Sequence, residues 1–226
     1  LGLRPDMASL SVGSNNFPTR VYENPPDLVD WLASEMIAHE VNPEIEAFDL
    51  SHILKAHQMW NAGQIRDRPY VQFVMGVQNA MPAEEHLLDI LLAETRRILP
   101  EATWTAAGIG RHQAKVMDWV LARGAHAVRT GLEDNIRITR ERLASGNAEL
   151  VALAAEVARA RARGVPVEGI CLYPVANHPG WDDDRHCHNG LWDYPDARGE
   201  RPTDPVLWEA LRQAQTWDWG RAEATV

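Results

Sequence analysis

The chain has 226 residues, 45% of them hydrophobic and 24% charged, which suits a soluble globular protein with one sizeable core. Its formal net charge of -10 argues against non-specific binding to nucleic acid or to an anionic membrane, both of which need Lys/Arg-rich surface. Two cysteines, Cys171 and Cys187, make no disulfide framework, and no run reaches the roughly 18 apolar residues of a membrane span or reads as a secretory signal, so a cytoplasmic protein is expected.

Short β-type runs alternate with helical stretches along the chain. "MASLSVG" from residue 7 is followed by the helical "PPDLVDWLASEMIAHE", then "EIEAFDL" by "SHILKAHQMWNAG". "YVQFVMGV" precedes "PAEEHLLDILLAETRRIL", in which Leu87, Leu88, Leu91 and Leu92 form one apolar stripe and Pro82 suits the first turn. "TWTAAGIG" precedes "QAKVMDWVLARG", and "AHAVRTGL" is a fifth run. A long helix, "NAELVALAAEVARARARG", and a sixth apolar run, "VEGICLYPV", come next. Strands alternating with helices at this spacing imply parallel βαβ units. The expected fold is α/β, derived from a (β/α)8 TIM barrel, with about six βα units rather than eight. The opening "LGLRPDM" leaves little room for an earlier strand, so the first part of a barrel is expected to be absent. From residue 174 a Pro-, Gly-, Asp-, His- and Trp-rich stretch reads as a long loop with its own structure, helped by Trp181, Trp192 and Tyr194. A short helix follows it, capped by Thr203 or Asp204.

Three constellations carry chemistry. In "RTGLEDN", Arg129 and Glu133 would stand about 13 Å apart on a straight strand, so the chain must turn at Gly131 for them to converge. At the C-terminal end of a barrel strand, Glu133 can then serve as a metal ligand and Asp134 as a base governed by Arg129. The alternative is an exposed loop with one surface ion pair. Strand-end glycines in "VMGVQNAMP" and "AAGIGRHQ" can offer backbone N–H groups to phosphate or carboxylate, with Arg111 and Lys115 adding positive charge, or can be plain turn glycines. "SVGSNN" offers hydroxyl and amide groups suited to carboxylate or carbonyl binding, or is a turn. In "DDDRHCHNG", His186 and His188 can pair as metal ligands near Asp182, Asp183 and Asp184, or can cap turns beside Arg185. Cys187 between two histidines is a weaker nucleophile candidate.

The ordered motifs "RPDMASLSVGSNN", "PEIEAFDLSHI", "YVQFVMGVQNAMP", "TWTAAGIGRHQ" and "AHAVRTGLEDNI" resemble the β-keto acid cleavage enzymes, the family that includes 3-keto-5-aminohexanoate cleavage enzyme. The resemblance covers roughly residues 2–160. It implies a (β/α)8 barrel, usually oligomeric, so a homo-oligomer is expected. It also implies a divalent metal, commonly Zn2+, and exchange of a β-keto acid with acetyl-CoA to give acetoacetate and a new acyl-CoA. By the same resemblance Glu133 is the carboxylate metal ligand, Asp134 the base that removes the substrate's C2 proton and Arg129 the residue that tunes it. Ser14 falls where the family places a hydroxyl near substrate. The family's other metal ligands form a His-x-His pair on an early strand, and no histidine precedes residue 39 here.

Residues 161–226 are similar instead to a late strand, loop and helix of family 1 glycosidase-like barrels, which suggests a chimera of residues 1–160 with a second barrel-like source, joined near "RARARG". Three functions are therefore weighed. The first is a metal-dependent β-keto acid cleavage acyltransferase acting on a small β-keto acid and a CoA thioester. The second is a non-catalytic chimeric barrel scaffold, and the third a glycosidase-like hydrolase using the tail carboxylates.

Overall fold

In the computed structural model, residues 5–138, 141–147, 149–150, 190–205, 208–209 and 212 are the ones the structure describes. The chain divides into two compact units, Leu1–Gly108 and Ile109–Val226.

The first unit is built from β1 (Met7–Ser11), β2 (Asn15–Asn16), β3 (Val21–Tyr22), α1 (Pro26–Ala38), β4 (Asn42–Ala47), α2 (Leu50–Asn61), β5 (Tyr70–Met75), α3 (Glu85–Ile98) and β6 (Thr103–Gly108). β1, β4, β5 and β6 form one parallel sheet in that order, and β2 and β3 pair as a small antiparallel hairpin. The sheet with alternating helices is a barrel-derived α/β fold, as expected.

Parity along the strands gives the sheet two unlike faces. Leu10, Ile45, Val71, Phe73 and Trp104 share one face, where the Phe73 and Trp104 rings lie 5.9 Å apart. They give the crossover helices an apolar surface to cover, and α1 to α3 bury Val29, Met36, Ile53, Met59, Leu88 and Leu91. The other face carries Ser9, Ser11, Glu44, Glu46, Gln72 and Thr105 in register. Ser9 is exposed but the other five are buried, and buried polar side chains need internal hydrogen bonds. The face has them: Ser9 Oγ donates to Glu44 Oε2 at 3.0 Å, Ser11 Oγ to Glu46 Oε2 at 2.7 Å and Gln72 Nε2 to Glu44 Oε1 at 2.5 Å.

Local signals explain the helices. Pro26 opens α1 at the first turn, and the Asp49 carboxylate caps α2 by accepting the Ser51 N–H at 2.9 Å. Two expectations on α3 need correction. Pro82 precedes the helix rather than lying in its first turn, because Glu84 is the N-cap. The buried stripe is Leu88, Leu91, Leu92 and Thr95, a strict i, i+3, i+4, i+7 set that leaves Leu87 only half-buried.

The second unit opens with a 3-10 turn at Gly110–His112 that runs into α4 (Gln113–Ala122). "AHAVRTGL", expected as a strand, forms none. Its last residues are held by a side chain instead of a ladder: Gln113 Nε2 donates to the Gly131 carbonyl at 2.9 Å, and Thr130 Oγ1 donates to Gln113 Oε1 at 3.1 Å. Later in the unit Trp192 bridges to Thr203, and a helical turn begins at Pro205, so Asp204 rather than Thr203 takes the cap position. No helix among the described residues is long and apolar enough to cross a membrane.

Candidate functional site

The acidic pair sits in a tight turn. Gly131 O accepts N–H bonds from Asp134 at 3.2 Å and from Asn135 at 3.1 Å, so the chain does reverse at the glycine. Two buried amide side chains hold that reversal: Gln113 from α4, as above, and Asn147, whose Oδ1 accepts the Leu132 N–H at 2.7 Å. The turn brings Arg129, Glu133 and Asp134 together. Arg129 Nε donates to Asp134 Oδ2 at 2.8 Å and Nη2 to Asp134 Oδ1 at 2.8 Å, a two-pronged grip on one carboxylate. Nη2 also reaches Glu133 Oε2 at 2.5 Å.

This is no surface ion pair. Side-chain exposure is 10% for Arg129, 3% for Glu133 and 1% for Asp134. Two carboxyls therefore compete, away from water, for one guanidinium. Burial, reinforced by the Asp134 charge, pushes the Glu133 carboxyl up to about 9, against the pull of Arg129. The balanced state is one cation, one carboxylate and one neutral acid: a proton acceptor and a proton donor side by side.

Zinc was expected here through Glu133. Among the described residues no group of three or more His, Cys, Asp or Glu is placed to hold a metal, and Glu133 already faces the Arg129 guanidinium. Catalytic zinc normally has three protein ligands. The described residues do not supply that set, so no step below passes through a metal. His186, His188, Cys187 and Asp182 to Asp184 lie outside the described residues.

Two of the strand-end glycines, Gly76 and Gly110, already have their backbone N–H groups bonded. The Gly76 N–H is taken by the Met81 carbonyl at 2.8 Å and the Gly110 N–H by the Asp134 carbonyl at 2.6 Å, so neither amide is spare for an anion. Arg111 and Lys115 are exposed on the first turns after β6, where Lys115 Nζ lies 4.8 Å from the Trp119 ring centre.

Ser14 belongs to the first unit, in the loop between β1 and β2, and is exposed. Its Oγ accepts the Asn24 N–H at 2.8 Å. Near it is a polar group that reading motifs in isolation missed: Ser11 Oγ, bonded to Glu46, is also 3.1 Å from the Tyr22 hydroxyl. The signal was available in "PEIEAF", where glutamates two apart inside an otherwise apolar strand must share one face. Gln113 and Asn147 had no comparable signal, because nothing in sequence marks an amide that will reach across to a turn.

A family model described as beta-keto acid cleavage enzyme matches residues 1–167. The chain belongs to that family. Among curated relatives, the 3-oxoadipate:acetyl-CoA acetyltransferase of Cupriavidus necator is 54% identical over 165 residues, which cover 73% of this chain and 58% of the relative. The 3-keto-5-aminohexanoate cleavage enzyme of Fusobacterium nucleatum is 34% identical over 165 residues, 72% of this chain and 58% of the relative. The chain thus spans a little over half the length of these relatives. A solved structure of ObcA in its apo form superposes with a TM-score of 0.63 at 20% identity, covering 73% of this chain and 42% of that one, which is a likeness of fold. This family member therefore has a barrel-type parallel sheet in its first unit and a buried Arg–Glu–Asp turn in its second.

Proposed function

We propose that the chain carries β-keto acid:acetyl-CoA acyl exchange chemistry, with Asp134 as the base, Arg129 as the residue that orients it and Ser14 as a substrate contact. The observation that carries this reading is the buried turn in which both Asp134 oxygens are held by Arg129 beside a carboxyl that prefers to be neutral.

The chemistry follows from the proton states. The C2 hydrogens of a β-keto acid are acidic because the resulting anion is an enolate delocalised onto the keto oxygen. Asp134, both of whose oxygens are held by Arg129, accepts one of those protons. A neutral Glu133 next to it has a proton to share with an oxygen on which charge develops. The C2 carbanion bonds to the acetyl carbon of acetyl-CoA and the CoA thiolate leaves. Attack of that thiolate on the original keto carbon then breaks its bond to C2. Acetoacetate departs once its C2 has regained the proton from Asp134, and the rest of the keto acid leaves as acyl-CoA, so atoms and charge balance. The exposed Arg111 and Lys115 are the cations we assign to CoA phosphates, as the net charge of -10 makes a local basic patch necessary.

Given the 54% identity to a 3-oxoadipate:acetyl-CoA acetyltransferase, 3-oxoadipate is the first substrate to test. Acetoacetate formation dependent on both 3-oxoadipate and acetyl-CoA is expected, falling by about 10²–10⁴-fold in Asp134→Asn with the fold intact. Equal turnover in that variant removes the base assignment, and no turnover in the wild type favours a non-catalytic scaffold. Zinc per chain, compared between wild type and Glu133→Ala, tests whether Glu133 joins ligands from elsewhere in the chain or from a partner copy. The family's homo-oligomer is a further part of this proposal, read by sedimentation. We also assign residues 161–226 to a second barrel-like source, in keeping with a family match that ends at residue 167.

A further inference from the structure

Gly13 follows β1, and its backbone is not in the left-handed region, so conformation alone would accept any residue there. What excludes a side chain is His52. A Cβ built on Gly13 would lie 2.6 Å from His52 Nε2 and 2.8 Å from Cδ2. The imidazole occupies the volume in which residue 13 would otherwise keep its side chain.

That ring is firmly placed. His52 is buried in the first turn of α2, and its Nδ1 accepts the Phe48 N–H at 3.2 Å. The acceptor role leaves Nδ1 bare and puts the ring proton on Nε2, facing Gly13. Burial holds the imidazole pKa below its usual value, against the opposing effects of the Asp49 carboxylate and the Glu46 carbonyl. The Phe48 ring stands edge-on to the imidazole at 6.2 Å and packs against Phe17 at 5.6 Å and Tyr22 at 6.1 Å. Phe17, just after β2, and Tyr22, in β3, stack on each other at 5.0 Å within the β2–β3 hairpin. Strands of two residues cannot hold a hairpin by themselves, so this one rests on the aromatic cluster of which His52 is the inner member.

On its other side the Gly13–Ser14 peptide is stitched to Asn24. Asn24 Nδ2 donates to the Gly13 carbonyl at 3.3 Å, and the Asn24 N–H donates to Ser14 Oγ at 2.8 Å. Since Ser14 oxygen is the acceptor there, its own proton is turned elsewhere, on a residue open to solvent.

We propose that His52 is a positioning residue: its imidazole fills the side-chain space of Gly13 and sets the Gly13–Ser14 peptide so that the Ser14 hydroxyl is presented as a donor to a carboxylate or carbonyl oxygen of the substrate. The inference rests on the assignment of Ser14 as a substrate contact. Its structural half has a readout of its own, because the Asn24 amide is protected from exchange only while Ser14 stays in place.

The test is amide hydrogen exchange at Asn24, with KM and kcat for 3-oxoadipate, in the full chain. Gly13→Ala and His52→Ala are each expected to lower Asn24 protection about tenfold, the loss of one hydrogen bond, and to raise KM several-fold while leaving kcat within about twofold. His52→Gln, whose side-chain carbonyl can accept the Phe48 N–H, restores most of both. Gly13→Ala/His52→Ala costs less than the two singles combined, because the methyl enters the space the ring has left. Should His52→Ala fail to fold, Gly13→Ala gives the same readout with the ring present. Unchanged Asn24 protection in the folded variants overturns the positioning role whatever KM does. Unchanged KM in Ser14→Ala overturns the substrate reading, and that result is independent of Asn24.

Discussion

Among the described residues two pairs of acidic side chains are buried, and they are treated in opposite ways. On the sheet of the first unit, Glu44 and Glu46 stand two residues apart on one strand, each met by hydroxyl or amide donors from the neighbouring strands. In the second unit, Glu133 and Asp134 are adjacent in a turn and both lean on the single guanidinium of Arg129. Spreading acids along a strand lets each find its own donors. Crowding them around one cation splits their roles, because the second negative charge has no equal partner. The first arrangement holds a polar surface in place. The second produces an acid and a base within one turn.

The largest expected effect breaks the second arrangement outright. Arg129→Met leaves a buried carboxylate without its cation and should lower unfolding free energy by about 3–5 kcal/mol in urea titrations, together with loss of acetoacetate formation. Arg129→Lys keeps the charge but cannot grip both Asp134 oxygens, and should fall between the two. A loss below about 1 kcal/mol for Arg129→Met would mean that the turn is not held by charge.

The next effect concerns pH. A carboxyl raised from 4.5 to about 9 by folding stays protonated in the native state while the unfolded chain releases the proton, so its stabilising effect is complete below about 4.5 and is lost as pH rises through about 9. Chelator-treated protein should therefore lose stability from mildly acidic to alkaline pH, with a slope of up to about 1.4 kcal/mol per pH unit. Glu133→Gln, which is neutral throughout, should flatten that slope. Identical slopes in the two proteins would place the neutral group elsewhere.

How much of this was legible beforehand differs between the units for a physical reason. In the first unit each helix and each strand of the four-stranded sheet is specified locally, by alternation, by a stripe at i, i+3, i+4, or by a cap such as Asp49, so their order could be read directly, whereas the two-residue strands of the β2–β3 hairpin are too short to carry such a pattern. Residues 126–131 carry the same apolar texture as a strand but are pinned by Gln113, a residue more than a dozen positions earlier, and no local pattern encodes that. "RTGLED" announced its chemistry because three charges around a glycine are hard to bury without pairing. Its depth was not announced, and depth is what separates a proton-splitting pair from a surface salt bridge. Glu44 and Glu46 were visible as letters, but their meaning needed the sheet register. The contact between Gly13 and His52 joins two segments 39 positions apart, and only the fold brings them together.

A milder perturbation checks the first arrangement. Glu46→Gln keeps the shape of the side chain, and the Ser11 hydroxyl can donate to an amide oxygen as it does to a carboxylate, so a loss of about 1 kcal/mol is expected. A loss comparable to that of Arg129→Met would show that the negative charge on β4, and not the hydrogen bond alone, is held by its surroundings. The contrast between the two pairs would then be one of degree.

The smallest expected effect tests whether the prop under the hairpin titrates. His52 has a folded-state pKa below the ordinary 6.5, since burial disfavours the imidazolium more than Asp49 and the Glu46 carbonyl favour it. The unfolded chain therefore takes up a proton first on acidification. The stabilisation from His52 is whole above about 6.5 and is lost as pH falls through the lower folded value, opposite in sign to Glu133. A proton on Nδ1 would also point at the Phe48 N–H, which that atom now accepts, so the charged ring cannot keep its place against Gly13. Wild-type stability should therefore fall as pH drops below 6.5 by more than that of His52→Gln, and the Asn24 amide should lose protection on the same descent in the wild type alone. Parallel curves for the two proteins would show that the ring stays neutral across this range or that another group carries the acid sensitivity.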